Sequence, residues 1–197
     1  GARARRARVV PAACARAPRP QEAASGGVTR FRPARVGDVD AIVGMMRGCY
    51  GEDSYTFVED EARAAALMLI EVQGLGRLWV ISDGDTVVGY VAVALGFSLE
   101  YRGREAFINE LFIAESHRGR GLGGEALEIA EAWCREAGVN ALHLEVERHR
   151  ENALELYRRR GFADHGRYLM TKWLTESRPG PRAAADRPAA RRSARSS

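Results

Sequence analysis

Between an apolar run, AFINELFI at 106–113, and a stretch of helical period over about 121–137, the chain spells ESHRGRGLGG, with four glycines in six residues from Gly119 to Gly124. A second apolar run, ALHLEVE at 141–147, follows the helix. Strand, glycine loop, helix and strand make a β-α-β unit, which requires two parallel strands with the helix packed across them. In the helix, Leu122, Ala126, Ile129, Ala130, Trp133 and Ala137 share one face, Glu125, Glu128, Arg135 and Glu136 take the other, and Gly138 supplies the stop. The run at 106–113 is apolar on both faces apart from Asn109 and Glu110, as expected of a central strand.

The segments before this unit read as antiparallel. VTRFRPA at 28–34 alternates like a short first strand ending at Pro33, and Asp38 and Asp40 favour a helix start. The apolar stripe Ile42, Met45, Met46 and Cys49 stops at Gly51, GEDSYTF at 51–57 reads as a loop, and a second helix runs from Glu59 to Val72. RLWVIS, the turn DGD at 83–85 and VVGYVAVALGF form a hairpin, with YRGRE as the next turn. After 147, ENALELYRRR predicts a short helix stopped by Gly161, and RYLMTKWL at 167–174 a closing strand. The fold class is α+β: a mixed, mostly antiparallel central sheet flanked by helices, with one crossover at the glycine loop.

Composition sets the domain limits. Six of the seven prolines lie in residues 1–26 and 177–197, and each of these tails carries six arginines against one acid with no apolar period. Such segments cannot bury enough apolar surface to offset chain entropy, so both are expected to be disordered and residues 27–176 to form one domain. The chain opens on Gly1 without a Met, and a natural start near Val28 is an alternative expectation. The whole chain holds 30 basic and 26 acidic residues, but without the tails 18 and 24 remain, a net of −6. An acidic core argues against nucleic acid as a partner and suits a cationic small molecule. The tails have no aromatic residue to stack a base and no amphipathic stripe, so they read as solvated spacers.

The longest apolar run, AAALMLI at 64–70, is too short to span a membrane, and no hydrophobic signal core stands at the N-terminus. Three cysteines, Cys14, Cys49 and Cys134, make an odd number without CxxC spacing, which fits a reducing, cytoplasmic setting. The four histidines show no metal-ligand spacing.

GRGLGG matches the dinucleotide pattern G-x-G-x-x-G, and Glu145 and Glu147 fall about where a ribose-binding acid would stand. Against that reading, Ala114 to Arg118 separate the strand from the first glycine, and only about 55 residues of foldable chain remain to complete a sheet. The other frame, Arg118-x-x-Gly121-x-Gly123, gives a generic anion cradle: backbone N–H groups at a helix start, with Arg118 and Arg120 at the rim.

INELFI, HRGRGLGG, LHLEVE and ALELYRRRGF, in that order, resemble the acyl-CoA-binding core of the GNAT superfamily of N-acetyltransferases over roughly residues 28–174. The resemblance implies an acetyl-CoA-dependent transferase whose loop of Arg118, Gly119, Arg120, Gly121, Leu122, Gly123 and Gly124 holds the CoA pyrophosphate. The pantetheine arm would lie between two strands that splay apart, 106–113 and 141–147. Glu110 becomes the candidate general base, since a carboxylate on an apolar strand has its pKa raised by desolvation; a structural carboxylate bonded to backbone is the alternative. A backbone N–H among Leu111, Phe112 and Ile113 would stabilise the oxyanion, and Tyr157, four residues before Gly161, would protonate the leaving thiolate or else pack with Ala153 and Leu156. The asparagine common in the family seven residues before this tyrosine is Arg150 here, so either Arg150 or Asn152 is expected to contact CoA, Asn152 having helix capping as its other reading. With no cysteine on the central strand, direct transfer in a ternary complex is expected.

The acceptor is expected to be an amine of a small molecule or of a protein, held by Tyr50, Glu52, Asp53, Tyr55, Phe57 and the turn near Tyr101, although a plain solvated loop has the same composition. A homodimer is compatible with this reading. A silent acyl-CoA-binding module and a small NAD-binding protein stay open as alternatives.

Overall fold

The computed structural model describes residues 29–52, 57–148 and 150–174, of which Cys49, Gly51 and Glu52 are described in backbone only. The tail assignments at 1–26 and 177–197 and the acceptor-loop residues Asp53 and Tyr55 lie outside the described residues.

The elements are β1 (Thr29–Pro33), α1 (Val39–Glu52), α2 (Glu59–Glu71), β2 (Gly76–Asp83), β3 (Thr86–Ser98), β4 (Gly103–Ile113), α3 (Leu122–Glu136), β5 (Val139–Leu144) and α4 (Glu151–Arg159), with one-turn 3-10 helices at Val36–Asp38 and Glu115–His117. The five strands form one sheet in sequence order. β1 to β4 pair antiparallel, and β4 pairs β5 in parallel. This is the mixed α+β sheet that the sequence patterns require.

Strand alternation sorts the core into two layers. Trp79 and Ile81 of β2, Val91 and Val93 of β3, and Ala106 and Ile108 of β4 pack with Leu122, Ala126, Leu127 and Ala130 of α3 and with Ala153 and Tyr157 of α4. The intervening residues Leu78, Val80, Tyr90 and Ala92 pack with Ile42 of α1 on the opposite face. Leu127 and Ile108 are fully buried, each worth about 1.5–3 kcal/mol of removal from water. Before α1, Asp38 takes a two-pronged contact from Arg32, both distances 2.7 Å, and the Arg35 N–H. The bonds from Arg32 hold its pKa below the ordinary carboxylate value and lock the β1–α1 corner.

Two expectations need correction. The first helix does not stop at Gly51 but runs to Glu52, so the expected loop at 51–57 loses its first two residues to helix. The expected closing strand at 167–174 is absent: Phe162 to Leu174 pairs with no strand. A strand forms only where a neighbour completes its ladder. Arg167 is instead held at the β3–β4 turn by a two-pronged pairing with Glu100, at 2.7 and 3.0 Å, which leaves Tyr168, Leu169 and Met170 exposed.

Candidate active site

The site begins with one extra residue in β4. Ala92 of β3 faces Glu110, yet its neighbour Val93 faces Ile108, so Asn109 is bulged out of the register. Residues two apart on a regular strand share a face, and Ile108 points into the α3 layer. The bulge reverses that parity. Glu110 and Phe112 therefore face the α1 side with Tyr90, while Leu111 returns to the α3 layer.

On that face Glu110 accepts two phenol hydrogen bonds, from Tyr50 Oη to Oε1 and from Tyr90 Oη to Oε2 at 2.6 Å. Among the described residues its carboxylate is bonded to these two side chains. Desolvation raises the Glu110 pKa above the ordinary carboxylate value, and the two phenols oppose that shift by stabilising the charged form. Tyr50 stacks on Phe57 and Tyr90 on Phe112, with centroids 5.8 and 6.0 Å apart, so both donors are braced by rings. Sequence reasoning placed Tyr50 near the acceptor and overlooked Tyr90; only the bulge brings them to one carboxylate. A Tyr90→Phe substitution removes a donor to the ionised form. The acidic limb of the rate profile is expected to move to higher pH, which a kcat/KM titration reads directly.

The same stretch is where β4 and β5 part. Their ladder runs from Arg104↔Val139 to Ile108↔Leu144 and ends there, although β4 continues to Ile113. Residues 145–147, expected to be strand, have no ladder. Ala114 N–H donates to Val88 O of β3 at 2.8 Å, so alternation turns the Phe112 N–H toward β3 and those of Leu111 and Ile113 toward the gap. The Ile113 carbonyl also faces away from β3, accepting from Arg118 Nε at 2.8 Å.

Past Ile113 the chain makes the 3-10 turn and the glycine loop. Gly119 and Gly121 have φ of +77° and +84°, values that an L side chain rarely adopts, and a Cβ at either would project into open space. Gly121 is the N-cap of α3. The Arg118 and Gly124 amides are spent on Glu115 O and Gly121 O, at 3.2 and 2.9 Å. Those of Leu122 and Gly123 stand at the helix start, where no intrahelical acceptor exists, and carry the positive end of the helix dipole. A Cβ at Gly124 would come within 2.7 Å of the Arg160 guanidinium, which would have to move aside. Arg118 lies over the Phe112 ring at 5.8 Å; Arg120, exposed, sits 3.9 Å from Asp83, whose carboxylate also meets His117 at 3.2 Å. These contacts tether the loop to the β2–β3 hairpin. The cradle fits a pyrophosphate in chemistry and in backbone conformation. A Gly121→Val substitution is expected to raise the acetyl-CoA KM about tenfold with kcat little changed, because forcing a β-branched residue to this φ costs about 1–2 kcal/mol; steady-state kinetics against acetyl-CoA check it.

α4 brings Tyr157 to the same core. Tyr157 is 5% exposed, its ring edge-on to Phe162 at 5.9 Å, and burial pushes its pKa up to about 12 while the nearby Arg150 pulls it down. Arg150 is itself 8% exposed on its side chain and pairs with Glu147 at 3.4 Å. Asn152, on the first turn of α4, is exposed. Of the two residues expected near CoA, Arg150 is the one buried beside the tyrosine. Cys134 is buried in α3, and burial lifts its thiol to about 11, so little thiolate forms there.

A sequence profile described as "Acetyltransferase (GNAT) family" matches residues 39–162. The chain is 30% identical to an "IAA acetyltransferase" of Azospirillum brasilense over 131 residues, 64% of this chain and 80% of that one. It is 28% identical to a "Streptothricin acetyltransferase" of Streptomyces lavendulae, over 70% of this chain and 83% of the relative. Among solved structures, an integron cassette protein from the mobile metagenome of Cole Harbour Salt Marsh superposes with a TM-score of 0.67 at 35% identity, covering 75% of this chain and 91% of that one.

Proposed function

The chain belongs to the GNAT family of acetyltransferases, enzymes that use acetyl-CoA, and from that premise we propose that it acetylates the primary amine of a small cationic molecule by direct attack within a ternary complex. One observation carries the reading: the β4–β5 ladder ends at Ile108↔Leu144, and at the mouth of the opening stands a carboxylate braced by two phenols.

When bound, acetyl-CoA supplies an activated acyl carbon. The loop amides from Gly119 to Gly123, with Arg118 and Arg120, would hold its pyrophosphate, and Leu111, Phe112 and Ile113 would line the arm. Glu110 takes the proton from the acceptor ammonium, whose ordinary pKa of about 10.4 keeps it charged until a base acts. The N–H groups of Leu111 and Ile113, on the gap side of β4, would donate to the thioester oxygen as charge develops on it. Tyr157 keeps its proton at neutral pH and passes it from Oη to the departing sulfur, with Arg150 beside it favouring the phenolate left behind. Arg150 replaces the family's asparagine in this arrangement, and Asn152 stays a rim contact to CoA. Relatives named for streptothricin and IAA support a small acceptor over a protein one. Among the described residues no helix is long and apolar enough to cross a membrane, and we place the enzyme in the cytoplasm.

A CoA-release assay over a panel of small amines tests the proposal. Turnover with cationic amines is the expected result; acetyl-CoA binding without turnover of any amine would leave only a silent binding module.

A further inference from the structure

Among the described residues, three buried side-chain polar atoms lack a hydrogen-bond partner, and two of them, His143 Nε2 and Glu145 Oε1, lie two residues apart on β5 and its continuation. Leu142, Leu144 and Val146 pack into the α3 layer, so 143 and 145 face the other way, onto the side of the sheet that carries Glu110. His143 lies opposite Phe107 in the register and is flanked by its ring at 4.9 Å and by Tyr101 at 4.8 Å, with Glu105 Oε2 3.7 Å from Nε2. Glu145 comes one residue past the last β4–β5 pair, where the two strands have parted. Both residues keep partial exposure while the two atoms do not.

We propose that Glu145 and His143 form a second acceptor-binding subsite, which selects amines carrying a further cationic, N–H-rich group, so that the preferred acceptor class is a diamine held by Glu110 at one nitrogen and by this pair at the other. The inference rests on the acetyl-transfer reading above. An unpartnered buried acceptor is costly, and a donor that enters the opening removes that cost. Among the described residues none does so for Glu145, whose pKa is raised by burial. Burial lowers the His143 pKa while Glu105 opposes the shift, so the neutral ring and the Glu105 carboxylate stand together as polar partners for an incoming cation. The rings of Tyr101 and Phe107 add cation-binding faces beside it. An alkyl monoamine satisfies Glu110 and leaves both atoms orphaned.

The test compares kcat/KM for butylamine with that for the diamines from diaminopropane to diaminohexane. Wild type is expected to favour its best diamine by about tenfold or more, the size of one charged hydrogen bond. Glu145→Gln should cut that ratio to within about threefold, chiefly through the diamine KM, while Glu145→Asp, which keeps the charge, retains most of it. His143→Gln should lower it in part. A wild type that turns over amines without a diamine preference, or a Glu145→Gln enzyme that loses both substrates alike, overturns the subsite and leaves acetyl transfer standing. A wild type that releases CoA with no amine defeats the acetyl-transfer reading itself.

Discussion

Replacing Glu110 with glutamine is expected to lower kcat by about 10²–10³-fold and to leave the acetyl-CoA KM within about threefold, because proton removal by a positioned base contributes on that scale and the amide keeps the shape of the side chain. The pH profile is the sharper readout. Desolvation raises the Glu110 pKa, and a base works only when ionised, so wild-type kcat/KM should climb with pH through a value above the ordinary carboxylate range. In the glutamine enzyme that limb should vanish. A variant with normal turnover and an unchanged limb would leave Glu110 a bonding partner for Tyr50 and Tyr90 and nothing more.

The second large effect is expected from Tyr157→Phe, a loss of about 10²-fold in kcat with acetyl-CoA binding nearly intact. The phenol is pushed up to about 12, so it stays protonated across the assay range, and its own titration should not bend the profile below about pH 10. The ring contact with Phe162 survives the substitution, so the melting temperature should move little. If kcat holds while the protein loses stability, Tyr157 is a packing residue of the α3–α4 core and another group protonates the sulfur.

Much of this architecture is legible in the sequence, and the limits have physical causes. The glycine loop is legible because φ of +77° and +84° at Gly119 and Gly121 leaves few residue types to choose from. Glu110 stood out as a carboxylate in an apolar run. Its direction did not, since a bulge adds a residue without any compositional mark and reverses every side chain beyond it. For the same reason nothing in the sequence marks Tyr90 as a partner of Glu110. RYLMTKWL at 167–174 carries β-forming residues but, in the fold, has no ladder to join, so propensity alone does not make it a strand. Arg150 could be read only as a substitution; its burial beside Tyr157 depends on how α4 docks.

The central claim is that acyl-CoA enters where β4 and β5 separate, with its phosphates on the loop that opens α3. Backbone amide resonances of the full chain, followed by NMR as acetyl-CoA is added, test it most directly. The largest shifts should fall on Leu111, Ile113 and Gly119 to Gly123, with the β3–β4 turn quiet and with NAD producing no such pattern. Saturable shifts that spare Leu111 and Ile113, or an equal response to NAD, would contradict it.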